Sequence, residues 1–156
     1  MDAEAEIVCS FTVPGEPIPQ GSKTKTRWGI REDNPRTRPW RNAVAAEADA
    51  AMDGPPVSGP LALEARFYFN RPKSHFGSGR NADLLKESAP EMHTNKPDAD
   101  KLLRAIGDSL SGVVCRDDSQ FALVTATKLY GRPRAEIVIR RFAHDRSPPP
   151  VPLHAA

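Results

Sequence analysis

Apolar and polar residues alternate from Leu61 to Asn70, with Leu61, Leu63, Ala65, Phe67 and Phe69 at one parity and Glu64, Arg66 and Tyr68 at the other. This predicts a half-buried strand. A looser alternation from Glu6 to Val13, closed by Pro14-Gly15, predicts a strand before it. Phe121–Leu129 and Ala135–Phe142 predict two more, and the Tyr130-Gly131-Arg132-Pro133 turn between them makes a hairpin the simplest joining. The period changes to three and four from Thr37 to Met52, where Trp40, Val44 and Ala48 share a face and Asp53-Gly54-Pro55-Pro56 stops the run. A second helix is predicted just after Pro97, with Asp98 as N-cap. Its Leu102, Leu103, Ile106 and Leu110 fall in one arc, Asp100, Arg104 and Asp108 lie opposite, and Gly112 ends it.

These elements predict an α+β fold: a small mixed sheet of about four strands packed with two main helices, in the order βαβ, long loop, αββ. The 156 residues form one domain over 1–143, followed by a Pro-rich tail over 144–156 that has too little to pack. Cys9 and Cys115 are far apart and belong to no metal-spaced pair, which argues against a zinc ribbon or disulfide scaffold and for two buried reduced thiols. No secretory signal or long apolar run is evident, so a cytoplasmic protein without membrane association is expected.

A net charge of +2 hides a local imbalance. Lys23, Lys25, Arg27, Arg31, Arg36, Arg38 and Arg41 cluster against Glu16, Glu32 and Asp33, with Trp28 and Trp40 among them. Flexible cations beside aromatic rings suit a nucleic-acid backbone, though an ordinary solvated loop has the same composition. The irregular stretch from Arg71 to Lys96 carries Arg71, Lys73, Arg80 and Lys86 as a second set of candidate contacts. His75 and His93 lie within or near it without a partner at a telling spacing. Glu64 joins an acidic site only if its face of the strand turns that way.

The densest chemistry runs from Asn95 to Asp108 and on to Arg116-Asp117-Asp118-Ser119-Gln120. Carboxylates from two elements are what a hard cation such as Mg²⁺ or Mn²⁺ takes, with water and phosphate oxygens completing the shell. A nearby cation such as Arg104 suits the charge of a phosphoryl transition state. Spacing alone leaves a second reading open, because Asp is favoured at helix starts and Asp-Asp-Ser is common turn chemistry.

Lys96-Pro97-Asp98-Ala99-Asp100-Lys101-Leu102, then Arg104, Asp108-Ser109-Leu110, Gly112 and Asp117-Asp118-Ser119-Gln120 resemble the signature of RusA-type Holliday junction resolvases, many of them phage or prophage encoded. Phe11-Thr12-Val13-Pro14-Gly15-Glu16-Pro17 is similar to the family's opening strand and turn, which extends the resemblance over most of residues 6 to 142. The resemblance implies a small α+β homodimer that uses Mg²⁺ or Mn²⁺, and no nucleotide cofactor, to cut four-way DNA junctions by paired nicks. Its essential carboxylates fall on Asp98, Asp100 and Asp118, with Asp117 beside them as a further metal ligand. Arg104 stands where the family has a catalytic Lys, and Lys101 where it has Asn. Arg keeps the charge but not the compact ammonium. The DNA contacts are then assigned to Lys23, Lys25, Arg27, Arg36, Arg38, Arg71, Lys73, Lys96 and Lys101. Two rival readings share these residues: a nuclease of broader branched-DNA taste, and a module that binds junctions without cutting.

Overall fold

The computed structural model describes residues 5–21, 23–32 and 34–142. The expected tail over 144–156 lies outside the described residues. Six strands and two α-helices follow in the order β1 (Glu6–Pro14), β2 (Lys23–Thr26), β3 (Gly29–Glu32), α1 (Thr37–Ala51), β4 (Leu61–Phe69), α2 (Ala99–Leu110), β5 (Phe121–Tyr130) and β6 (Arg134–Arg141). Strands β1, β6, β4 and β5 form one sheet in that spatial order, and β2 and β3 pair separately as an antiparallel hairpin.

The expected hairpin between the last two long strands does not form, because β4 lies between them, antiparallel to β6 and parallel to β5. The short turn instead passes over the end of β4, where the Gly131 N–H donates to the Phe69 carbonyl at 2.9 Å. Composition explains the exchange. Every second residue of β4 from Leu61 to Phe69 is buried, which suits a central strand. Strand β5 carries Lys128 on its inner side and leaves Leu123 and Val124 exposed, which suits an edge. β4, α2 and β5 thus make a parallel crossover unit, and that places α2 against β5.

Both helices lie on one face of the sheet, α1 against β1 and α2 against β5, in contact with each other. Trp40, Val44 and Ala48 of α1 and Leu102, Ala105, Ile106 and Leu110 of α2 close over Phe11, Val13, Leu63, Phe67, Ile137 and Ile139. Cys9 and Cys115 are buried and free in this core. The opposite face is polar. Glu64 lies there, ion-paired to Arg140 at 2.8 Å and to Arg66 at 3.3 Å, so it does not join the acidic residues of α2.

Candidate active site

Helix α2 begins where Pro97 ends the preceding extended chain, and the first helical bond runs from the Leu102 N–H to the Asp98 carbonyl at 3.1 Å. Asp98 occupies the N-cap position, yet its side chain makes no capping bond. It faces the Lys101 ammonium instead, at 3.6 Å. With Leu102, Ile106 and Leu110 buried, the exposed side of α2 carries Asp100 and Arg104, followed by half-buried Asp108. Arg104 forms no ion pair with either aspartate, so its guanidinium stays available on the surface.

The helix start is held from the sheet. Lys128 reaches across from β5 and donates to the carbonyls of Asn95 at 2.6 Å and Pro97 at 2.8 Å. Sequence reasoning missed this lysine. Its register opposite Phe67 puts it at the inward parity of the strand, where a charged residue is unusual, and that parity was the available signal.

At the other end of α2, residues 117–120 form a tight turn with its own internal bonds. Asp117 accepts from the Ser119 N–H at 2.8 Å, and Gln120 Oε1 accepts from the N–H groups of Arg116 and Asp117. The Gln120 amide then donates to the Val57 and Gly59 carbonyls, tying the turn to the approach of β4. Asp117 therefore caps the turn, its carboxyl held below the ordinary range by the Ser119 N–H, with only one of its two oxygens engaged in that bond. Asp118 is the carboxylate the turn presents. Burial, then its neighbours Asp117 and Asp108, push its carboxyl up. Asp118 lies against Gly107, where a Cβ would stand in ordinary van der Waals contact with that of Asp118 at 3.8 Å.

Asp98 and Asp100 sit in the first turn of α2, and Asp118 docks beside Gly107. Asp100 and Gly107 are seven positions apart on the helix, about 10 Å along the axis. The expected convergence of Asp98, Asp100, Asp117 and Asp118 on one ion is accordingly not assembled within this chain. Among the described residues no three His, Cys, Asp or Glu side chains come together to hold a metal. What the chain presents is one face with carboxylates at both ends and Arg104 between.

Cations flank this face on two sides. Lys96 and Lys101 line an open groove of about 410 Å³ with Asp98 and Arg36, although Arg36 also pairs with Glu16 at 2.9 Å. Arg38, Arg41 and Asp108 line a larger groove of about 710 Å³ together with Ile30 of β3. Lys23 and Lys25 belong to β2, and Arg27 lies at the hairpin tip. Trp40 is taken into the core at 5% exposure, so of the two tryptophans expected beside these cations only Trp28 remains outside.

The second candidate contact region is built otherwise. Arg71 donates to the Pro90 carbonyl at 2.7 Å and lies over the Tyr130 ring at 4.7 Å, which makes it a clamp for residues 71–96. Lys73 stays exposed on a single 3₁₀ turn. His93 stacks on Phe69 at 4.3 Å between centroids, and burial, then Lys128, hold it below its ordinary value. His75 meets Tyr130 edge-on. Both histidines are packing groups.

A small α+β domain with carboxylates along one open helix face, and arginines and lysines on either side, has the make-up of a protein that handles phosphodiesters. A family model described as Endodeoxyribonuclease RusA matches residues 14–140, and the chain belongs to that endodeoxyribonuclease family. The chain is also similar to the uncharacterized protein YqaN of Bacillus subtilis (strain 168), 29% identical over 140 residues that cover 85% of this chain and 96% of that one. No helix among the described residues is long and apolar enough to cross a membrane.

Proposed function

We propose that this chain is a divalent-cation-dependent endodeoxyribonuclease that resolves four-way DNA junctions by paired nicks, acting as a homodimer in the cytoplasm of a bacterial host. The observation that carries the reading is the exposed α2 face, with Asp100, Arg104 and Asp108 in sequence and Asp118 against Gly107, in a chain of an endodeoxyribonuclease family.

The donors on this face are oxygens only, the preference of Mg²⁺ or Mn²⁺. Mg²⁺ takes one or two carboxylates and leaves the rest of its shell to water and substrate phosphate, so Asp118 with Asp108, or Asp100 with Asp98, suits it in kind. When bound, such an ion supplies a Lewis acid and a water of lowered pKa. The chain's own residues do the remainder. Arg104 sets its charge against the phosphoryl oxygens, while Arg38, Lys96 and Lys101 hold the backbone on either side. A four-way junction has approximate two-fold symmetry, so a two-fold dimer would present one acidic face to each of two opposed strands.

The reading without cutting draws on one observation, the lack of a preassembled three-ligand set among the described residues. A panel of synthetic four-way junctions, flaps and forks, each in Mg²⁺ and in Mn²⁺, separates the possibilities. Symmetric nicks on opposed strands of the junction support resolution, and equal cutting of every branched substrate supports the broader nuclease. Tight binding with no nick in either metal supports the binding module.

A further inference from the structure

The β2–β3 hairpin is the part of the molecule that packing explains least. Its two-residue tip, Arg27-Trp28, is closed by the Thr26–Gly29 pair, with Gly29 at φ +128° where other residues rarely go. Trp28 is 85% exposed and Ile30 72% exposed, whereas the other tryptophan is buried. Among the described residues the hairpin joins no other strand, and its residues 23–32 carry Lys23, Lys25, Arg27 and Arg31 against the single acidic residue Glu32. Arg27 lies 4.7 Å over the Trp28 ring, which stiffens the tip. Ile30 of the same hairpin lines the groove of Arg38, Arg41 and Asp108, and Asp108 is the neighbour of Asp118.

An exposed indole among cations suits a flat partner that stacks on the ring and carries anionic groups beside it. We propose that Trp28 is a base-stacking wedge: it takes an unpaired or unstacked nucleobase of DNA on its indole face while Lys25, Arg27 and Arg31 hold the flanking phosphates. Base–aromatic stacking needs no particular base, so the wedge selects for open, branched or single-stranded DNA by shape and not by sequence. This deepens the nuclease reading above, since it names which part of the substrate the hairpin holds next to the acidic face. It does not require that cutting occur. The charge on the hairpin favours DNA over a second copy of this chain as the occupant.

The test uses the full chain with metal chelated, a single-stranded oligothymidylate, a four-way junction carrying 2-aminopurine at the crossover, and a linear duplex of the same sequence. Wild type should show quenching of Trp28 fluorescence by the single strand and a rise in 2-aminopurine emission at the junction. Trp28→Ala should abolish both and weaken single-strand and junction binding by about fivefold or more, with an unchanged melting temperature. Trp28→Phe should restore most of the affinity and Trp28→Leu little of it. Unchanged binding by Trp28→Ala, or equal rescue by Leu and Phe, overturns the wedge. A dimer that becomes monomeric on Trp28→Ala overturns it too, by placing the hairpin in a protein interface. Cutting assays with metal restored keep the two readings apart. Nicking by wild type with no effect of Trp28→Ala on binding sinks the wedge alone, whereas quenching of Trp28 by a protein that cuts nothing sinks the nuclease alone.

Discussion

Lys128 Nζ lies 2.8 Å from the carbonyl oxygen of Pro97, the residue directly before Asp98, and 2.6 Å from that of Asn95. One charged side chain of β5 thus sets where α2 begins, and with it where Asp98 and Asp100 stand. Hydrogen bonds with a charged donor contribute about 1.5–3 kcal/mol each when well formed. Lys128→Met should lower the melting temperature by a few degrees, raise the Mg²⁺ concentration needed for half-maximal nicking and slow nicking about tenfold or more. Lys128→Arg should recover part of the loss, and a Lys128→Met enzyme with wild-type metal dependence would show that the clamp has no part in the reaction.

Asp117 and Asp118 are neighbours in different surroundings: Asp117 accepts from the Ser119 N–H, while burial and then Asp117 and Asp108 push the Asp118 carboxyl up. Asp117→Ala removes a capping acceptor and should lower the melting temperature slightly. Asp118→Asn should abolish nicking while the melting temperature at neutral pH holds or rises, because neutralising it relieves repulsion from Asp117 and Asp108. Thermal melts and a nicking assay on both variants check this division. An inactive but stable Asp117→Ala beside an active Asp118→Asn would reverse it.

Arg104 is exposed and pairs with neither Asp100 nor Asp108, so its replacement should leave the fold alone. Arg104→Lys should keep most of the nicking activity because the charge is retained, whereas Arg104→Ala should lose about a hundredfold if the cation meets the transition state. A complete loss in Arg104→Lys would assign the role to the planar guanidinium itself.

The Glu64–Arg140 pair on the opposite face of the sheet provides a control. Arg140 first, and Arg66 after it, hold the Glu64 carboxyl below its ordinary value. A lowered folded value means that its stabilisation is present above the unfolded value near 4.5 and is lost as pH falls through and below it. Glu64→Gln should therefore lower stability at pH 7 by no more than about 1 kcal/mol, narrow the difference between pH 7 and pH 3, and leave nicking unchanged.

Much of this was legible in the chain because burial has a period. Trp40, Val44 and Ala48 announced α1, the alternation from Leu61 announced β4, and Asp98 and Gly112 bracketed α2. Strand order was harder. The turn at Gly131 fits a hairpin locally, and only the competition for the central place, won by the more apolar β4, puts a strand between β5 and β6. The β2–β3 hairpin was hidden because Lys23–Thr26 and Gly29–Glu32 bury no apolar face, so neither shows the alternation of a packed strand. Within the site, the residue types were readable but their grouping was not. Asp117 and Asp118 differ by one position, and only the bonds from Ser119 and Gln120 show which of them the turn consumes.

The most direct measurement is a nicking assay on a mobile four-way junction, with wild type, Asp100→Asn and Asp118→Asn titrated side by side with Mg²⁺ and Mn²⁺. Wild type should make paired nicks that vanish on chelation, and neither variant should nick, although both bind the junction and melt no lower than wild type. Cutting by either variant at the wild-type rate, or by wild type in the absence of divalent metal, would contradict this.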